Sequence, residues 1–254
     1  PETAEIEPSI PAEFSLLINN VGYGDANSVK IATGQPEIVD NQKGLAIHFE
    51  MIGFSMNGQA ATADFANLDF GSIQAGKQAY AQWYFTSSLL GHFTEYNTTI
   101  TKGSSYGNED FNLLSIEGCH ELIRSLKVPN TSLTAFMVND IKDANDLPDC
   151  VYLTDGTVDD RVNIVSESAS CSSMGNNQYT LTLSGAKGWV YGAIHDPTNG
   201  RQKLASVTRM SDDAVIDLQN FWQTDRTLRD GKDSLYENNL RFADYLANAQ
   251  SPTA

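Results

Sequence analysis

The run Cys119-His120-Glu121-Leu122-Ile123-Arg124 comes nearest to a reactive motif in this sequence. A zinc hydrolase of the H-E-x-x-H kind needs two imidazoles one helical turn apart on the metal, with the glutamate activating water. Arg124 stands where the second histidine would be, and a guanidinium stays protonated and repels a metal ion. His195 is the only histidine further on. Ser115 to His120 also alternates as a strand permits. No G-x-S-x-G, glycine-rich phosphate loop or Ser/His/Asp order stands out in a recognisable setting, and His48, His92, His120 and His195 are scattered. The chain is read as not an enzyme.

Oxygen ligands are densest in Asn139-Asp140-Ile141-Lys142-Asp143-Ala144-Asn145-Asp146-Leu147-Pro148-Asp149. Their D-x-x-D and N-D spacings in a loop suit Ca²⁺, so Asp140, Asp143, Asn145, Asp146 and Asp149 form the candidate metal set. The run is not an EF-hand, because the glycine and the final glutamate of that loop are missing. The competing reading makes the same residues Asx-turn formers in a solvated loop. No other cofactor is expected.

Flat aromatic rings stack on sugars, and Trp222 and Tyr236 are the glycan-binding candidates. Trp83 and Trp189 sit in alternating runs and read as core anchors. Cys150 and Cys171 lie close in sequence, each beside an expected strand end, and are paired in a disulfide that leaves Cys119 over. Three reduced core thiols are the alternative. A disulfide implies an oxidising compartment. The sequons at Asn97 and Asn130 point the same way.

The elements that must position these residues read as strands. Phe14–Ile18 and Val29–Ala32 flank a polar connection holding Gly22, Gly24, Asp25 and Asn27. Leu45, Ile47 and Phe49 alternate with Ala46, His48 and Glu50, and Ala79, Ala81, Trp83 and Phe85 mark one face of a later strand. Asn57-Gly58 and Ala75-Gly76-Lys77 read as turns, and His195–Arg201 as a hairpin loop. Asn220–Gly231 reads as a long loop held by Arg226 and Arg229, while Asn239–Leu246 fits strand or helix. The fold class is all-β: two consecutive Ig-like β-sandwich domains, over 14–127 and 128–250. An extended leader or linker (1–13) precedes them and a tail (251–254) follows.

Thirty-two acidic residues against 16 basic give a formal charge of −16, which excludes nucleic acid as a partner. No apolar run approaches the roughly 18 residues of a membrane span. A basic, apolar leader is lacking too, so a secreted protein would be represented by its mature part or an excised piece.

The first half, INNVGYGDANSVKIATGQPEIVDNQKGLAIHF followed by FGSIQAGKQAYAQWYFTSSLLGHF, resembles the adhesion-related (CARDB-type) β-sandwich modules of large secreted or surface proteins. Ile18, Asn20, Gly22, Gly24, Ala26 and Val29 match the pattern joining the first two strands of such modules. Gly71, Ile73 and Gly76 match a second stretch. GWVYGAIHDPTNGRQKLASVTR and NFWQTDRTLRDG resemble segments of similar multidomain proteins. The resemblance implies a spacer or adhesive role. The expected function is that of an extracellular or cell-surface structural module in a larger, filamentous assembly. Its partners are copies of itself or other surface proteins, met through strand edges. The alternative is a carbohydrate-binding module with glycans as partners.

Overall fold

The computed structural model describes residues 12–33, 49–61, 67–87, 98–102, 118, 120–141, 147–183, 187–230 and 233–247. These are strands, turns and connections, and among them no helix is long and apolar enough to cross a membrane. The fold is all-β, built from several mostly antiparallel sheets. Two compact units divide it. One holds the described residues of Pro11–Cys119 with Thr154–Gly156, the other those of His120–Leu153 and Thr157–Ala254.

The first unit contains β1 (Ala12–Asn19), β2 (Ala26–Thr33), β3 (Phe49–Met56), β4 (Gln59–Ala61), β5 (Asn67–Ile73), β6 (Gln78–Ser87) and β7 (Thr98–Lys102). They form one sheet in the order β1-β6-β3-β4 and another in the order β5-β2-β7. The Phe14–Ala32 stretch is therefore a crossing from one sheet to the other. Alternation in β6 turns Ala79, Ala81, Trp83 and Phe85 inward, all of them buried. Phe54, Ala81 and Trp83 meet Ile31 and Leu68 of the facing sheet, with Phe14 at 5.3 Å from the Trp83 ring. On the opposite face a polar row links three strands. Gln82 Nε2 and Ser15 Oγ donate to Glu13 Oε1 (2.7 and 2.8 Å), and Ser55 Oγ donates to Gln82 Oε1 (3.1 Å). The β3–β4 turn is made by Asn57 and Gly58, at φ of 48° and 76°. Gly58 suits the positive φ of a two-residue hairpin.

The second unit opens with β8 (Glu121–Lys127), β9 (Thr134–Asn139), β10 (Cys150–Leu153), β11 (Val158–Asp159) and β12 (Val162–Ile164). It continues with β13 (Ser170–Gly175), β14 (Gln178–Thr182), β15 (Gly188–His195), β16 (Val207–Arg209), β17 (Ala214–Ile216), β18 (Phe221–Asp230) and β19 (Asp233–Leu246). One sheet runs β11-β10-β9-β8 and a second β12-β15-β19-β18, with β12 parallel to β15. Leu126, Ala135, Met137 and Val151 of the first pack on Trp189, Tyr191 and Ala243 of the second. On the other face Val190, Phe242 and Leu246 pack with Val165, Ala169, Leu181 and Leu183. Both faces of this sheet are covered, which is why β15 reads as one apolar run. Gly192 is a packing glycine: a Cβ there would lie 2.3 Å from the Phe242 ring.

Two expectations change and one open alternative closes. Asn220–Gly231 is not a long loop but mostly β18, paired with β19 from Phe221↔Phe242 to Asp230↔Asp233. Asn239–Leu246 is strand, pairing with β15 as well. His195–Arg201 does not close a hairpin, because β15 pairs with β12 and β19. β8 pairs with β9, and the two units divide between Cys119 and His120, ahead of β8.

Candidate functional site

The register Glu121↔Asn139 carries His120 and Asp140 to the same end of the sheet, where β10 brings Tyr152. His120 Nδ1 lies 2.7 Å from Asp140 Oδ1, and the Tyr152 hydroxyl donates to Asp140 Oδ2 (3.0 Å). The imidazole packs on the Tyr152 ring at 4.5 Å. A carboxylate oxygen accepts here, so Nδ1 carries a proton toward Asp140. Asp149 fixes the start of the following loop by accepting the backbone N–H groups of Asp140 and Ile141. Burial, with the nearby Asp140 carboxylate, drives the Tyr152 hydroxyl far above its ordinary pKa, keeping it a donor. The Cys150 thiol is likewise raised by burial, away from reactive thiolate. The arrangement orients an imidazole, and its described contacts bring it no nucleophile.

Of the calcium candidates, Asp140 and Asp149 adjoin, each engaged by the protein hydrogen bonds just given. Asp143, Asn145 and Asp146 lie outside the described residues. Among the described residues no group of three His, Cys, Asp or Glu side chains is placed to hold a metal ion. The expected disulfide is corrected: Cys150 and Cys171 are both free thiols. Cys150 starts β10 opposite Val138, whereas Cys171 pairs with Leu181 in the separate β13–β14 hairpin. Proximity in sequence does not carry over, because the strands bearing them belong to different sheets. Cys119 lies outside the described residues.

Trp222 is half-buried against the core, with the Arg124 guanidinium 4.8 Å from its ring centroid and Tyr191 at 6.3 Å. One ring face is thus taken by a cation. Tyr236 stands in β19 opposite Thr227, and its side chain is outside the described set. Asn130 is exposed at φ 59° in the β8–β9 turn, while Asn97 lies outside the described residues.

Three built features were not anticipated. Asp196 is buried and its carboxylate accepts from Thr198 N–H and Oγ1 (both 2.8 Å), Gly200 N–H (3.2 Å) and Gln223 Nε2 (3.1 Å). Burial works to raise this carboxyl, and those donors together outweigh it and hold it below its ordinary value. Asn220, also buried, accepts from Lys127 N–H (2.8 Å) and donates to Lys127 O (2.9 Å) and Asp244 Oδ1 (3.2 Å). Arg209 joins Asp244 (3.0 Å) to Asp212. Burial raises the Asp244 carboxyl, and Arg209 offsets this only in part.

The third is a groove of about 280 Å³ lined by Ile141, Leu147, Val162 and Ile164 together with Asp160 and Arg161. It adjoins the His120–Asp140 pair through Asp149. In sequence its only signal is Ile141 and Ile164, apolar residues set among polar ones.

No family model matches this sequence, and comparison with curated proteins and with solved structures gives no match.

Proposed function

We propose that the chain is an extracellular structural or adhesive module, of the adhesion-related kind its first half resembles, that joins a larger assembly through sheet edges. One observation carries this reading. β1 is the terminal strand of its sheet and pairs with β6 residue for residue, without a bulge. Over Ser15–Asn19 it has no charge and no proline. Natural edge strands are blunted by shortness, bulges or charges. Most other described sheet ends follow that rule: β4, β11, β12, β16 and β17 have three residues or fewer, and β5, β8 and β13 are bulged, while β14 is a second uncharged, unbulged edge. β7 carries Lys102, and β18 carries Asp225, Arg226, Arg229 and Asp230. An unblunted edge is a template for an added strand.

Leu17 lies on the face of β1 opposite Phe14, Leu16 and Ile18, which pack into the core. Leu17→Lys therefore places a charge on the edge without entering the core. Light scattering over a concentration series should show species larger than one chain for the wild type and a return to monomer for Leu17→Lys. A wild type that stays monomeric throughout, or a variant that assembles equally, overturns the reading.

A further inference from the structure

The sequence contains two Asn-Gly pairs, Asn57-Gly58 and Asn199-Gly200. Such a pair can react with itself, because the glycine nitrogen can add to the asparagine side-chain carbonyl and no side chain on the glycine obstructs the approach. The peptide nitrogen is a weak nucleophile until a base draws on its proton, and the carbonyl needs a donor for the charge that grows on its oxygen. The two pairs share one backbone, at φ of 48° and 76° for the first and 52° and 73° for the second. What surrounds them differs.

At Asn199 both helpers are in place. The Gly200 N–H donates to Asp196 Oδ2 (3.2 Å). His195 Nε2 lies 2.7 Å from Asn199 Oδ1, and an amide oxygen accepts, so Nε2 carries a proton toward it. The turn is fixed by Asn199 N–H donating to Asp196 O (2.9 Å), and the buried Asp196 carboxylate is anchored by Thr198 and Gln223. The donors that hold this carboxyl low keep it in the ionised form that can accept a proton. Asn199 itself is exposed, and its Nδ2 has no hydrogen-bond partner among the described residues. Asn57 has only half of this arrangement. Its Oδ1 accepts from Tyr80 N–H (2.9 Å), but among the described residues no carboxylate accepts from the Gly58 N–H.

We propose that Asn199-Gly200 is a self-modification site, where Asp196 and His195 promote closure of a succinimide ring. The Gly200 nitrogen passes its proton to Asp196 Oδ2 and bonds to Asn199 Cγ, while His195 holds the charge on Oδ1. The Cγ–Nδ2 bond then breaks, and the nitrogen leaves as ammonia with the proton that Asp196 returns. Water adds to either imide carbonyl and opens the ring, leaving aspartate or isoaspartate at position 199. The ring nitrogen carries no hydrogen, so closure also removes one of the ties that gather this turn onto Asp196.

Peptide mapping by mass spectrometry tests this. The intact chain is kept at neutral pH for weeks, folded and in parallel unfolded in urea, and the peptides holding Asn199 and Asn57 are followed for loss of ammonia and gain of water. Asn199 should convert about tenfold or more faster in the folded chain, since unfolding disperses the base and the donor. Asn57 should convert no faster folded than unfolded. Asp196→Asn and His195→Ala should each slow Asn199 in the folded chain. A purely structural role for Asp196 gives the opposite sign, because a loosened turn reaches the attack geometry more often. Folded conversion no faster than in urea, or either variant converting as fast as the wild type, overturns the proposal. Should Asp196→Asn not fold, His195→Ala and the comparison of folded with unfolded chain decide it.

Discussion

The two units solve the same problem with different materials. In the first, two sheets meet through apolar side chains, and its polar row lies on the face away from that core. In the second, one sheet is covered on both faces, and its connections are held by buried polar side chains. Asn220 offers Lys127 an acceptor and a donor as a neighbouring strand would, and Asp196 gathers the turn after β15 onto its carboxylate. Long irregular connections can pack inside a β protein when side chains satisfy the backbone groups that no strand reaches.

The largest effects should separate the two designs. Trp83→Ala in the first unit should cost about 3–5 kcal/mol, the loss of a fully packed aromatic. Asn220→Ala in the second should cost about 1–3 kcal/mol, because two part-buried backbone groups of Lys127 and the buried Asp244 carboxylate lose a partner. Denaturant melts give the totals, and hydrogen exchange should place the second loss in 120–247 alone. Protection that falls equally in both units would erase the distinction.

Next comes Gly192→Ala, expected to cost about 1–3 kcal/mol by driving a methyl into the Phe242 ring. Adding Phe242→Leu should recover part of that, whereas two additive losses would point to backbone strain instead.

A smaller, pH-dependent effect follows from the two buried carboxylates. Asp196 is held below its ordinary value, so its contribution is present above the unfolded pKa of about 3.9 and is lost as pH falls through the folded one. Asp244 is raised, so its contribution is present below the unfolded pKa and is lost as pH rises through the folded one. Stability against pH should therefore lose acid-side slope in Asp196→Asn, while Asp244→Asn should flatten the decline above pH 4. Parallel curves for wild type and both variants would contradict these signs.

The smallest effect belongs to the exposed Lys30–Asp69 pair of the first unit, at 3.1 Å. Lys30→Ala should leave the denaturant midpoint nearly unchanged, and whatever difference there is should shrink as salt is added.

The strands legible in sequence were those with period-two alternation or strong turn chemistry, such as β6 and the Asn57-Gly58 hairpin. β18 was hidden because Asp225, Arg226, Arg229 and Asp230 give it the composition of a loop. What makes it a strand is its register with β19, a tertiary fact. Cys150 and Cys171 misled in the same way, since nearness along the chain says nothing about which sheet a strand joins. At the candidate site, His120 was visible only as half of a failed zinc motif. Its partner Asp140 comes from β9 through a bulged register at Leu122 and Arg124, which no linear spacing encodes. The groove beside it was illegible for the same reason.

β19 runs between β15 and β18 and lends Ala243 to one core layer and Phe242 and Leu246 to the other. The last strand described in this unit thus fills the centre of its sheet. On the ribosome the second unit must wait with Trp189 and Val190 uncovered until Leu246 has emerged, whereas every strand of the first is complete far earlier. Birth order therefore sets which unit is exposed longest to chaperones and to stray strands during synthesis.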